Sequence, residues 1–149
     1  MRTVLCVGGA VSVDRQIRLQ EMSRHPGKVY YWPDEAAKYD AAALEAVRDA
    51  GLKVDIVVSH TAPSFCEFRS KSGLTSWAED DPGLIAECEA ERQTMDTILT
   101  HLQRDGHPLE RWYYGHFHNS WHSEIGGVWY KMLDIMELLE VPRIIPDGV

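Results

Sequence analysis

The chain has 149 residues, 44% apolar and 26% charged, an ordinary globular composition at the usual size of a single domain. A chain of this length buries enough surface to fold without disulfide or structural-metal staples. Acidic residues outnumber basic ones 23 to 15, and the formal net charge of −8 argues against general affinity for nucleic acid or anionic membrane while leaving room for a local basic site.

Thr3-Val-Leu-Cys-Val7 is a short apolar run closed by Gly8-Gly9, which predicts a buried strand at the very start of the chain. It is no signal peptide, because the glycines interrupt it and Asp14, Arg15 and Arg18 follow. Lys28 to Trp32 is β-rich and predicts a second strand, stopped by Pro33, which supplies no N–H to a ladder. Asp40 is placed to cap a helix from Ala41 to Ala50 that ends at Gly51. The helix leads into Val54-Asp-Ile-Val-Val-Ser59, a typical buried strand, closed by His60-Thr-Ala-Pro63.

From Ser64 to Pro82 the pattern is irregular, mixing Ser, Gly and charges with Phe65, Phe68 and Trp77, and predicts an ordered loop or lid. Gly83 to Gln103 reads as the clearest helix. Leu84, Ile85, Cys88, Met95, Ile98, Leu99 and Leu102 recur at three- and four-residue steps, with Glu87, Glu91 and Arg92 expected to face away. Arg111-Trp-Tyr-Tyr114 is β-rich, and Trp121 to Ile125 with Val128 to Leu133 flank Gly126-Gly127 as a hairpin. The Pro- and Gly-bearing tail from Pro142 is expected to be peripheral. With no repeat, linker or low-complexity segment, the whole of 1–149 reads as one α/β domain.

Cys6, Cys66 and Cys88 show no Cys-x-x-Cys spacing, so no disulfide framework or zinc knuckle is indicated and a reducing cytoplasm is the expected compartment. Cys66 has no base beside it in sequence to make it a nucleophile. No apolar stretch approaches the roughly 20 residues that span a bilayer. Trp112, Trp121 and Trp129 at strand spacing read as core or interface.

Histidine carries the chemical signal. His60 follows one predicted strand directly, and His116 and His118 follow another. Loops just past strand ends are where open α/β sheets bind ligands, and neutral imidazole is a common ligand for divalent metals. Any one of these histidines reads most simply as a hydrogen-bonded residue; three at equivalent strand ends point to a shared ligand. His25, His101, His107 and His122 lack that context and read as solvated or structural.

Ile56-Val-Val-Ser-His-Thr-Ala-Pro63 and Tyr114-Gly-His-Phe-His118 resemble the last two signature motifs of the calcineurin-like metallophosphoesterases, in the right order and separated by a helix. Gly8-Gly-Ala-Val-Ser-Val-Asp-Arg15, continuing to Arg18 and Tyr31-Trp-Pro-Asp-Glu35, is similar to a stretch that several bacterial and phage members carry before those motifs. The resemblance implies metal-dependent phosphoester hydrolysis, with His60 and His116 on one divalent ion and His118 on another. Manganese, zinc, iron or magnesium would each suit, as one ion or two. It also implies an α/β/β/α sandwich, of which this chain corresponds to the C-terminal half: a mixed sheet with flanking helices.

The family's early motifs, Asp-x-His, Gly-Asp-x-x-Asp and Gly-Asn-His-Asp/Glu, do not occur here. Asp14, Asp34, Glu35, Asp55 and Asp134 are the carboxylates open to replacing the bridging group, with Asp34 and Glu35 also reading as caps of a following helix. Arg15 and Arg18 could engage phosphate bidentately or form ordinary salt bridges, and Asn119 could orient a ligand or a turn. The expected partners are a phosphoester small molecule and a second chain: a homodimer using the face that would meet the missing sheet, or a separate N-terminal half. The rival reading is a catalytically silent remnant that binds metal or a partner, and a weaker third is a hydrolase with all three histidines on a single metal.

Overall fold

The computed structural model describes residues 2–69 and 73–141. Its elements in chain order are β1 (Thr3–Val7), α1 (Arg15–Arg24), α2 (Ala41–Asp49), β2 (Val54–Ser59), α3 (Thr75–Ala78), α4 (Leu84–Arg104), β3 (Arg111–Tyr114), β4 (Trp121–Ile125) and β5 (Val128–Met132). The fold is α/β. The five strands form one mixed sheet in the order β1-β2-β3-β5-β4, in which only β4 runs antiparallel to its neighbour.

Local chemistry accounts for the elements. The Asp40 side chain accepts from the Ala43 N–H at 3.0 Å, capping α2 as its sequence predicts. Gly126 and Gly127, at φ 59° and 79°, supply the two left-handed positions of the β4–β5 turn. The core lies on one face of the sheet. Leu44 of α2 and Met95, Ile98, Leu99 and Leu102 of α4 pack there against Val57, Trp112 and Tyr130, all within one buried cluster. Trp112 is fully buried and its ring stacks on Tyr130 at 6.1 Å. Along β1 and β2 the alternate residues Val4, Cys6 and Val58 point to the opposite face and remain exposed.

Three expectations are corrected. Thr3–Val7, expected as a buried strand, forms β1 at the edge of the sheet and buries none of its residues. Lys28 to Trp32 forms no strand: Val29 and Trp32 stay exposed, and β-propensity without a ladder partner does not make a strand. The sequence pattern does not announce α1, because the helix buries no residue and its Ile17 and Leu19 sit on exposed positions, leaving no apolar stripe. Glu91 and Arg92 of α4, expected to face away, are buried. The irregular stretch after Ser64 contains the short helix α3, and its residues 70–72 lie outside the described residues, as does the tail 142–149. Among the described residues no helix is long and apolar enough to cross a membrane.

Candidate functional site

Four of the five strands run parallel, so their carboxyl ends share one edge of the sheet. Gly8 and Gly9 leave β1 there, His60 leaves β2, and His116 to His118 leave β3. The turns after β2 and β3 are tied together, since the Gly115 N–H donates to the His60 carbonyl at 3.3 Å. The His60 and His116 rings consequently approach to 4.8 Å between centroids.

The backbone at this edge is held in an unusual conformation. Phe117 N–H donates to the Gly115 carbonyl at 2.8 Å across a three-residue turn centred on His116, whose φ is 67°. His118 is also left-handed, at φ 51°. Left-handed backbone is uncommon in non-glycine residues and costs on the order of 1 kcal/mol or more, so two such residues two positions apart mark a segment shaped by more than local preference.

A cavity of about 940 Å³ opens against these turns. His60, His116 and His118 all line it, together with Asp14, Arg18 and Glu35 from the segment between β1 and α2. Gly9 permits that segment to close in. At φ 96° a Cβ there would lie 2.5 Å from the Glu35 carbonyl oxygen and 2.9 Å from Ala37 N, so only glycine fits. Glu35 in turn accepts from the Ser12 N–H at 2.7 Å, which fixes its carboxylate beside the histidines; it caps no helix.

Electrostatics keep the His60 and His116 imidazoles neutral. Burial, then the charges of His60 and His118, push His116 down to about 4, against a smaller opposing pull from Val11 and Asp14. His60 is lowered by burial first and by His118 second, opposed by Glu35. At neutral pH both therefore present lone pairs, the form in which imidazole binds a cation.

The remaining sequence candidates separate cleanly. Arg15 is absent from the cavity lining: its guanidinium is gripped by Asp81, with one contact at 2.8 Å, and by Glu87, with one at 3.0 Å. Arg18 does line the cavity, paired to Asp14 at 2.8 Å and 41% exposed. Of the five carboxylates considered as replacements for a bridging group, Asp14 and Glu35 reach the cavity. Asp34 pairs with Lys38, Asp55 accepts from Thr3 N–H, and Asp134 accepts from Ile135 N–H. Asn119 shapes its own turn, accepting from Ser120 N–H at 2.9 Å.

His101 and His107 are buried in hydrogen bonds, to Tyr39 at 2.7 Å and from Val54 N–H at 3.1 Å, whereas His25 and His122 are exposed. Burial raises the Cys66 thiol to about 12, which leaves it protonated and unsuited to nucleophilic attack. Sequence reasoning missed Arg92, whose buried guanidinium donates to the carbonyls of Pro63 at 3.1 Å, Ser64 at 2.6 Å and Cys66 at 2.6 Å, pinning the loop that follows His60.

The donor chemistry suits a divalent cation: the imidazoles of His60, His116 and His118 and the carboxylates of Asp14 and Glu35 line one cavity. Among the described residues, no three such side chains stand gathered into a finished ligand cage. No protein-family model matches the chain, and no curated protein sequence matches it.

Proposed function

We propose that this protein is a metal-dependent phosphoesterase of the metallophosphoesterase type, using His60, His116 and His118 as metal ligands. The single observation that carries the reading is the convergence of three histidines, from the ends of two adjacent parallel strands, on one cavity. Among the described residues, Asp14, Glu35, Glu89, Glu91 and Asp96 also line that cavity, against Arg18 and Arg92. Such an acidic surface repels a phosphate group unless cationic charge is added, and the histidine wall is where a dication would be held.

A bound divalent ion would polarise a phosphoryl oxygen and activate water for in-line attack. The chain's own side chains do the rest. The neutral imidazoles of His60 and His116 would present their lone pairs without displacing a proton, Arg18 offers guanidinium N–H donors to the cavity, and Asp14 and Glu35 would offset a metal's charge in place of the bridging motif. The strained turn at His116 holds its ring in position before any ligand arrives.

The same reading includes a homodimer, in which the sheet face bearing Val4, Cys6 and Val58, remote from α2 and α4, meets its equivalent in a second copy. A monomer in sedimentation at micromolar concentration would remove this part.

The deciding experiment is hydrolysis of a chromogenic phosphodiester by chelator-stripped protein with added manganese, beside His116→Ala and His118→Ala. Turnover that both substitutions reduce by about a hundredfold or more supports the reading. Turnover equal in wild type and both variants, or none in any, overturns it and leaves the rival of a silent metal-binding or partner-binding subunit.

A further inference from the structure

Part of the cavity lining is apolar. Phe68, Leu74, Trp77 and Ile85 line it, and none is fully buried; Phe68 is 47% exposed and Ile85 44%. Large apolar side chains left open inside a concave site are the usual lining of a small-molecule pocket. They cost solvation free energy that an apolar occupant recovers.

Phe68 is held in a way that suits stacking. The guanidinium carbon of Arg92 lies over its ring, 4.3 Å from the centroid. Arg92 itself cannot drift, because it is only 6% exposed and is anchored by three backbone carbonyls. One face of Phe68 is therefore closed by a fixed cation, and half of the residue remains open. This platform is physically continuous with the histidines. Arg92 lies 6.0 Å from the Phe117 ring, and Phe117 packs edge-on against His116 at 5.1 Å. The histidines and these apolar side chains line the same cavity.

We infer that the cavity selects phosphoesters of aromatic alcohols, with the flat ring of the alcohol stacked on the open face of Phe68 and enclosed by Leu74, Trp77 and Ile85. The inference rests on the reading that His60, His116 and His118 hold the phosphoryl end. An aromatic group is favoured over an alkyl chain because a ring face rigidly backed by a cation rewards a second flat π-system more than a flexible chain. Phe68 and Trp77 are specificity-determining residues in this view, and Arg92 is a positioning residue that acts through Phe68.

The test uses two non-hydrolysable ligands of similar size that share the phosphonate group, phenylphosphonate and cyclohexylphosphonate, titrated calorimetrically into the full chain with manganese. Phenylphosphonate should bind about tenfold or more tightly. Phe68→Ala should bring the two ligands within about threefold of each other, and Phe68→Leu, which keeps apolar bulk without a ring, should fall between. His118→Ala should weaken both ligands and preserve their ratio. Equal affinities in the wild type, or a ratio untouched by either Phe68 variant, would overturn the inference. If neither phosphonate binds, benzyl alcohol separates the two failures: saturable binding lost in Phe68→Ala keeps the aromatic wall and rejects the phosphoryl reading, whereas no binding rejects both.

Discussion

The rings of His60 and His116 stand 4.8 Å apart between centroids and are tilted by 54°, although 55 positions of chain separate their strand ends. Adjacent parallel strands produce this meeting, and the hydrogen bond from Gly115 N–H to the His60 carbonyl holds it. Manganese affinity measured by equilibrium dialysis at pH 7.5 should fall in His60→Ala and in His116→Ala by more than the roughly tenfold cost of losing an outer-shell partner. Unchanged affinity in both variants would remove the metal assignment.

Arg15 illustrates a structural role for a residue that had looked like a phosphate ligand. Its side chain is 11% exposed and grips Asp81, at 6% exposed, more deeply than Glu87, at 52%. Arg15→Ala leaves the Asp81 carboxylate to Gln16 and the Gly83 N–H alone and should cost about 1 to 3 kcal/mol in urea unfolding. Arg15→Lys keeps the charge without the fork and should cost less. The folded Arg15→Lys protein should bind phosphonate as the wild type does, and a large loss there would return Arg15 to the ligand site.

Much of the sheet and helix framework was legible because it is written in local patterns: apolar runs closed by Gly51 or Gly8-Gly9, the Asp40 cap, and the three- and four-residue rhythm of α4. What escaped depended on tertiary context. Glu91 and Arg92 carry charges that a periodicity reading sends to solvent, yet Glu91 is recruited by the N–H groups of Val11 and Ala37 and Arg92 by three carbonyls. No sequence spacing announces such partners. The histidines were legible as strand-end residues. Which carboxylates would join them was not, because Asp14 and Glu35 arrive on an irregular segment whose path is set by the close approach at Gly9.

Glu91 gives the fold a pH dependence of definite sign. Burial is the largest influence and raises its carboxyl above the ordinary 4.5, outweighing the N–H donors of Ala37 and Val11. A raised acid favours folding while protonated, so this contribution is complete below pH 4.5 and is lost as pH rises through the folded value. Glu91→Gln keeps an acceptor for Val11 N–H and has no charge to bury. Its Tm should exceed that of the wild type at pH 7, with the difference vanishing below pH 4.5. A variant less stable at pH 7, or a difference constant with pH, would contradict this account.

Ser59 joins the core to the site through one hydroxyl. The indole N–H of the fully buried Trp112 donates to the Ser59 oxygen at 2.7 Å, and that hydroxyl donates onward to the Thr61 carbonyl, bracketing His60 from both sides. Ser59→Ala leaves a buried donor with no acceptor and frees the turn that carries His60. The cost should be about 1 to 3 kcal/mol, or a few degrees in Tm for a chain of this size. Trp112→Phe removes the donor, so once it is made the further loss of Ser59 should cost less, with a coupling of roughly 1 kcal/mol in the double-mutant cycle. Manganese affinity reports the second function of the same hydroxyl: it should drop in folded Ser59→Ala protein even under conditions where the stability loss leaves almost no unfolded chain. Additive stabilities with unaltered metal affinity would make Ser59 an ordinary core residue and leave the placement of His60 to the Gly115 hydrogen bond alone.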